Sequence, residues 1–187
     1  MKKIFRFILV CLPSTATFIL GLACCTAQNP GVNLVVNSSF ETGGQNIARE
    51  FNSHGWTFFV IEEPAKGGVT NEAQDGNACF EIRAEGGRGF LHSDPFPVKP
   101  SFNLNISLWI KGSGEAAVEI LWWKEYNDDI VIASDRHRDV LKTADAFAEW
   151  KKLTMQAGVP EDARFAYIRL IARKADVAFD DISVTTE

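Results

Sequence analysis

The stretch Leu104-Asn105-Ile106-Ser107-Leu108-Trp109-Ile110-Lys111 alternates apolar and polar side chains. Successive side chains of a β-strand point to opposite faces, so this alternation predicts a strand with one buried face. Leu104, Ile106, Leu108 and Ile110 form the predicted buried set. The opposite set holds Asn105, Ser107, Trp109 and Lys111, which places a tryptophan on the outward side of the strand.

Three other stretches alternate in the same way. Their predicted buried sets are Ala78, Phe80, Ile82 and Ala84; Ala116, Val118, Ile120 and Trp122; and Ala166, Ile168, Leu170 and Ala172. The opposite sets are Cys79, Glu81 and Arg83; Glu115, Ala117, Glu119, Leu121 and Trp123; and Phe165, Tyr167, Arg169, Ile171 and Arg173. The outward sets therefore combine aromatic rings with carboxylate and guanidinium groups.

Strand patterns of this kind recur along the chain, separated by Gly, Pro, Asn and Asp. The predicted strands are Leu34–Asn37, Trp56–Glu62, Gly68–Asn71, Ala78–Ala84, Gly89–Ser93, Phe102–Lys111, Ala116–Lys124, Ile130–Ala133, Trp150–Gln156, Arg164–Arg173 and Val177–Thr185. A short helical turn is predicted within Leu141–Glu149. Many short strands without a helical period predict an all-β sandwich or barrel.

The first 27 residues have the pattern of a secretory signal peptide. Lys2, Lys3 and Arg6 surround the start of an apolar run that extends to Ala23 and is followed by small residues. This order predicts cleavage after Ala27 and a single domain over residues 28–187. Because Pro13 interrupts the run, which ends in a cleavage-like site, we predict no transmembrane span.

Leu22-Ala23-Cys24-Cys25 offers an alternative, since it approximates a bacterial lipobox. Lipidation would then leave a lipid anchor on Cys25 and tether an otherwise unchanged domain to a membrane. Both alternatives predict a secreted, cell-surface or periplasmic protein, and the signal is typical of bacteria.

Charge and cysteine content restrict the partners and the chemistry. Loss of residues 1–27 leaves 16 of the 19 Lys and Arg against 24 Asp and Glu, a net charge of −8. This balance disfavours nucleic acid, and it disfavours highly anionic polysaccharides unless a local basic cleft overrides it. Only Cys79 lies after residue 27, so we predict no intrachain disulfide and assign Cys79 to packing. His54, His92 and His137 form no zinc-binding spacing.

Short motifs at both ends of the predicted domain carry a family resemblance. The first is Leu34-Val35-Val36-Asn37-Ser38-Ser39-Phe40-Glu41, followed by Gly55-Trp56, and the last is Phe179-Asp180-Asp181-Ile182-Ser183-Val184. Together with the Asp75-Gly76-Asn77-Ala78 turn, the segment Pro95–Pro100 and Trp150-Lys151-Lys152-Leu153, they resemble carbohydrate-binding modules of the galactose-binding-like jelly-roll superfamily. The resemblance implies a jelly-roll β-sandwich, a bound polysaccharide or oligosaccharide, and core positions for Trp56 and Trp150.

Sugar binding needs flat aromatic rings for stacking and planar polar side chains for hydrogen bonds. The predicted ligand-binding residues are Trp109, Trp123, Tyr167, Arg169, Glu119, Asn105, Glu81 and Arg83. If their strands are neighbours in one sheet, these residues form a single surface. An ordinary cross-strand charge ladder is the alternative for the charged members.

The resemblance also implies one structural calcium between the first and last strands. Its ligands would include Glu41, the Asp75-Gly76-Asn77 turn and Asp180. Calcium takes six to eight oxygen ligands, which carboxylates and backbone carbonyls supply. The alternative is that Asp180 and Asp181 cap a strand.

We predict a binding protein and no catalytic activity, because no serine-hydrolase, phosphate-loop or zinc-protease motif is present. Two alternatives stay open: an adhesion or structural module that binds protein or matrix, and a small polysaccharide-degrading enzyme. The enzyme alternative would use Glu81 and Glu119, provided that they face each other across a groove.

Overall fold

A computed structural model describes residues 31–42, 45–46, 50–53, 55–124, 138–145 and 147–187. For residues 45–46, 50–53 and 138–145 only the backbone is described. The predicted signal peptide, the alternative lipid anchor predicted at Cys25 and the predicted strand Ile130–Ala133 lie outside the described residues.

The described residues form strands, turns and loops, without a helix. The strands are β1 (Gln45–Asn46), β2 (Glu50–Ser53), β3 (Trp56–Glu62), β4 (Lys66–Thr70), β5 (Cys79–Ser93), β6 (Phe96–Pro97), β7 (Asn103–Trp123), β8 (Arg138–Asp145), β9 (Lys151–Gly158) and β10 (Phe165–Thr186). The part of the chain with described structure accordingly has no helix of the length and apolarity needed to cross a membrane.

Three long strands, β5, β7 and β10, contribute to both layers of a sandwich. Residues 165–173 of β10 lie between residues 88–92 of β5 and residues 115–123 of β7. This layer, the first sheet, has the order β1-β2-β3-β5-β10-β7-β8, with β6 on β10. The later residues of β10 pair with the early halves of β5 and β7, and with β4 and β9 these complete the second sheet. All pairs are antiparallel, so the all-β sandwich prediction is confirmed.

β7 passes from one sheet to the other at Gly112 and Gly114, which both have positive φ, +139° and +86°. A Cβ on Gly112 would lie 2.0 Å from the backbone oxygen of Asp176 in β10. The register of β10 shifts at the same level, between Arg173 and Asp176. Only glycine permits this approach, so the turn-like sequence is a bend inside one continuous strand.

The core lies between the two sheets and confirms the predicted buried sets. Phe80, Ile82, Leu104, Leu108, Ile120, Ile168 and Leu170 are fully buried, and Trp122 is also buried. Trp56 is buried as predicted and lies 5.3 Å from the ring of Phe40. Trp150 is only half-buried and lies outside this core, so its assignment as a core anchor was wrong.

Two local predictions were also wrong. The segment Leu34–Asn37 forms a turn instead of a strand. Asn37 has a φ of +49°, and the Leu34 N–H donates to the Val184 carbonyl of β10 at 2.8 Å. Residues 141–145 of the predicted helical turn belong to strand β8. For residues 141–145, pairing with β7 decided the conformation, which local propensity does not report.

Cys79 is buried and makes no disulfide in the described part of the chain. Burial raises the pKa of its thiol to about 12, and the charge of Asp180 adds to this effect. The thiol therefore stays protonated near neutral pH, as its assignment to packing predicts.

Candidate functional site

The outer face of the first sheet carries a large cluster of aromatic and charged side chains. β3, β5, β10 and β7 are neighbours here, and every second residue of each strand points away from the core. We call this cluster the first-sheet face. It consists of Thr57, Phe59, Arg88, Phe90, His92, Phe165, Tyr167, Arg169, Ile171, Arg173, Glu115, Glu119, Leu121 and Trp123.

A polar row crosses the middle of this face. Thr57, His92, Arg169 and Glu119 are register partners on four adjacent strands. Arg169 and Glu119 form a buried ion pair in which Arg169 Nε donates to Glu119 Oε2 at 2.7 Å. Buried charges are tolerated when they are paired and hydrogen-bonded, so these two side chains hold each other in one geometry.

Aromatic rings surround the polar row. The ring centroid of His92 lies 5.1 Å from that of Phe59, 6.0 Å from that of Phe90 and 5.2 Å from that of Tyr167. Tyr167 also meets Trp123 edge to face, at 5.9 Å. Phe59, Phe90 and Trp123 remain partly exposed, so part of this aromatic surface is open to a ligand.

His92 is held neutral at the centre of the cluster. Burial lowers the pKa of its imidazole to about 3, and the charge of Arg169 acts in the same direction. Neither Nδ1 nor Nε2 of His92 has a hydrogen-bond partner. A buried polar atom without a partner costs about 1–3 kcal/mol, so such atoms require an explanation.

The described residues contain four buried side-chain nitrogens without a partner: Arg88 Nε, His92 Nδ1, His92 Nε2 and Trp123 Nε1. All four belong to the first-sheet face. The buried nitrogens that lack a hydrogen-bond partner in the described structure are therefore concentrated on one surface, beside its aromatic rings.

The predicted ligand-binding residues do not form one surface. Trp123, Tyr167, Arg169 and Glu119 lie on the first-sheet face. Trp109, Asn105, Glu81 and Arg83 lie on the outer face of the second sheet, on the opposite side of the sandwich. The strands alternate as predicted, but the bends in β5 and β7 turn their two halves toward different sides.

The second-sheet residues are engaged with their neighbours. Lys152 Nζ lies 5.9 Å from the centroid of the Trp109 ring, and Gln156 donates to Asn105 Oδ1 at 2.8 Å. Arg83 pairs with Glu81 at 2.7 Å. That hydrogen bond and the Glu81 charge raise the pKa of Arg83. A depression of about 400 Å³ lies beside Asn105 and Gln156.

Glu81 and Glu119 do not face a common groove. Glu81 lies opposite Ala178 in the second sheet, and Glu119 lies opposite Arg169 in the first. Glycoside cleavage by paired carboxylates requires the two carboxyl groups to flank the same glycosidic bond. Glu81 and Glu119 lie in different sheets and cannot act as such a pair.

The predicted calcium ligands hold the loop before β5. Glu41 Oε1 accepts the backbone N–H groups of Asn77 and Ala78 at 2.6 and 2.8 Å, and these bonds lower the pKa of Glu41. Asp180 Oδ2 accepts those of Gln74 and Asp75 at 2.9 and 3.2 Å. Burial raises the pKa of Asp180, against the effect of these hydrogen bonds.

A calcium site at Glu41 and Asp180 would depend on backbone carbonyls. Three of the four side-chain oxygens of this pair accept N–H donors, since Asp180 Oδ1 also accepts the Asp181 N–H at 2.7 Å. Within the described residues, no three His, Cys, Asp or Glu side chains are grouped to hold a metal ion. The structural calcium stays a prediction.

Sequence reasoning missed Phe59, Phe90, His92, Arg88 and Thr57 as members of the first-sheet face. The signal was present, because Trp56, Phe58 and Val60 alternate with Thr57, Phe59 and Ile61. The same alternation separates Leu91 from Phe90 and His92. Alternation along a strand predicts whether a residue points inward or outward. It does not predict to which of the two sheets the strand belongs, because that depends on pairing between residues far apart in the sequence.

No protein-family model matches the chain, and no curated protein sequence matches it. Solved structures do match. The enzymatically active domain of bacteriophage CBA120 tailspike protein 4 superposes with a TM-score of 0.67 at 13% identity over 83% of this chain. The chain spans only 22% of that tailspike chain.

Carbohydrate-binding modules match over nearly their whole length. A CBM61 module in complex with β-1,4-galactotriose has a TM-score of 0.56 at 16% identity, over 83% of this chain and 99% of the module. The CBM22-1 xylan-binding domain of Paenibacillus barcinonensis Xyn10C has a TM-score of 0.57 at 18% identity, over 86% and 97%. The chain has the jelly-roll β-sandwich fold of these carbohydrate-binding modules.

Proposed function

We propose that the protein is a secreted or cell-surface, non-catalytic carbohydrate-binding protein that holds a glycan against the first-sheet face. One observation carries the proposal: the four buried side-chain nitrogens without a partner in the described structure all belong to this face. A sugar hydroxyl donates and accepts hydrogen bonds, so a bound glycan would satisfy them.

The aromatic side chains support the same ligand class. Trp123 and Tyr167 form one edge-to-face pair, and Phe59 and Phe90 flank His92 farther across the face. The C–H faces of sugar rings stack on such rings. Since the unpaired nitrogens have almost no solvent contact, a sugar can reach them only if the flanking aromatic side chains rotate.

The solved structures agree with this ligand class. One module with this fold is bound to β-1,4-galactotriose, and another is a xylan-binding domain. Their identity to this chain is 16% and 18%, so the sugar itself has to be found by experiment.

The test is retention of the protein on a panel of soluble and insoluble polysaccharides. Trp123→Ala removes an aromatic ring from the first-sheet face, and Trp109→Ala removes the same side chain from the opposite face. We expect the wild type and Trp109→Ala to be retained on the same polysaccharide. Trp123→Ala should lose about five- to 150-fold in affinity, because stacking on one aromatic ring contributes on the order of 1–3 kcal/mol.

Circular dichroism and the melting temperature confirm that each variant is folded. Equal retention of Trp123→Ala and the wild type would contradict the proposed face. If the folded wild type bound no polysaccharide, the carbohydrate function would be wrong, and the search would turn to a protein partner of an adhesion module.

A further inference from the structure

Two arginine side chains lie directly opposite each other on the first-sheet face. Arg88 in β5 and Arg173 in β10 are register partners, and both alternate outward with the residues of the polar row. Like charges directly opposite each other destabilise an antiparallel pair. A destabilising pair of like charges on a candidate binding face indicates that the pair is kept for function.

The protein itself neutralises this pair incompletely. Arg88 Nη2 contacts Glu62 at 3.1 Å, its guanidinium lies 5.2 Å from the Phe90 ring centroid, and its Nε has no partner. Arg173 is exposed, and among the described residues no carboxylate lies within ion-pair distance of it. Glu115 is its register partner on β7 but does not pair with it, whereas the equivalent partners Arg169 and Glu119 do.

We propose that Arg88 and Arg173 bind a carboxylate of the glycan, so that the ligand is an acidic polysaccharide containing uronic acid residues. The inference rests on the proposed function and names its substrate class. Each guanidinium presents a planar fork of N–H donors that matches a carboxylate, and a shared anion removes the repulsion between the two cations.

The charge of the chain gives no long-range attraction to an acidic ligand. The net charge is −5, and −8 for residues 28–187 alone, which repels a polyanion at long range. The uronate is therefore recognised by the two arginines locally, and the remaining contacts are stacking and hydrogen bonds with neutral parts of the sugar rings.

The test compares three soluble probes: polygalacturonate, the same polymer fully methyl-esterified, and neutral β-1,4-galactan. Esterification keeps the sugar backbone and removes the charge. A sulfated glycan is added as a fourth probe, because sulfate and carboxylate share the chemistry that an arginine pair recognises. Binding is measured by titration calorimetry at 50 and 300 mM salt.

The variants are Arg173→Gln and Arg88→Gln, with Lys174→Gln as the control for loss of a neighbouring exposed cation. We expect each arginine variant to bind polygalacturonate at least about tenfold more weakly, since charge-assisted hydrogen bonds are lost, and Lys174→Gln to bind within about twofold of the wild type. Arg173 is exposed and lies opposite Arg88, so Arg173→Gln should melt at the wild-type temperature or slightly above it, because the repulsion between the two cations is removed.

The outcomes separate this inference from the proposed function. Tighter binding of polygalacturonate than of its methyl ester, lost in Arg173→Gln, supports it. Equal binding of both polymers, or an unchanged affinity of Arg173→Gln, overturns the acidic ligand and leaves neutral glycan binding in place. Preference for the sulfated probe would overturn the carboxylate assignment, and failure to bind any glycan would overturn both proposals.

Discussion

His92 shows how one side chain on the first-sheet face couples stability to pH. Its imidazole is buried and neutral, with a pKa of about 3 against 6.5 for the exposed group. Below pH 6.5 the unfolded chain therefore binds a proton that the folded chain does not. The free energy of unfolding therefore has its full value above pH 6.5 and decreases progressively as the pH falls toward 3.

We predict that lowering the pH from 6.5 to 4.5 costs the wild type about 2–3 kcal/mol more than it costs His92→Phe, at about 1.4 kcal/mol per pH unit. Urea unfolding of both proteins at the two pH values measures the difference. Parallel loss of stability in both would show that His92 is not the buried neutral group described.

The ion pair between Glu119 and Arg169 gives a second prediction at this scale. Both side chains are at least nine-tenths buried, so Glu119→Gln leaves an uncompensated buried charge and should lower the free energy of unfolding by about 3–5 kcal/mol. Asp162→Ala breaks the exposed ion pair with Lys124 and should change the free energy of unfolding by less than about 1 kcal/mol. Denaturant unfolding that gave similar losses for both variants would contradict the description of Glu119.

The alternation of side chains predicted the buried and outward sets of β7, but it did not predict that β7 is continuous. Gly112-Ser113-Gly114 has the sequence of a turn, and so two strands were predicted. The structure carries one strand of 21 residues through these glycines. A turn and a bend need the same permissive backbone, and the pairing with β10 decides between them.

Gly112→Ala tests this bend. A Cβ at residue 112 would lie 2.0 Å from a backbone oxygen of β10, and the φ of +139° disfavours a side chain as well. We expect a loss of more than about 2 kcal/mol in the free energy of unfolding. In Gly158→Ala the nearest contact would be 3.6 Å, so a change within about 1 kcal/mol is expected there. A wild-type melting temperature for Gly112→Ala would contradict the tight approach of β7 and β10.

The loop before β5 tests the predicted calcium. Glu41 and Asp180 hold residues 74–78 from two distant parts of the chain. If calcium binds there, EDTA should lower the melting temperature of the wild type by several degrees, and added calcium should restore it. Glu41→Gln should show a smaller response. The same melting temperature in EDTA and in excess calcium would show that hydrogen bonds alone close this loop.

At the scale of the whole molecule, the sequence predicted the sandwich but not the separation of its two outer faces. Trp109 and Trp123 both alternate outward, and we expected them on one surface if their two predicted strands were neighbours in one sheet. The structure places both in the single strand β7. The bend between them turns them to opposite sides. Such a division depends on which strand halves pair, and these pairings join residues far apart in sequence.

The first-sheet face therefore emerges from tertiary structure. Arg169 and Glu119 were predicted as ligand-binding residues, and the structure adds His92, Phe59, Phe90 and Arg88 beside them. Their strands lie far apart in the sequence, and no local motif connects them. The central claim is that this face, and not the face with Trp109, binds the glycan.

The most direct measurement is an NMR titration of the tryptophan indole N–H signals with a glycan that the protein retains. We predict that the signal of Trp123 Nε1–H shifts strongly on saturation, because this nitrogen has no partner in the free protein. The signal of Trp109 should stay within experimental error of its starting position. A shift of Trp109 with Trp123 unchanged would place the glycan on the second sheet and contradict the account.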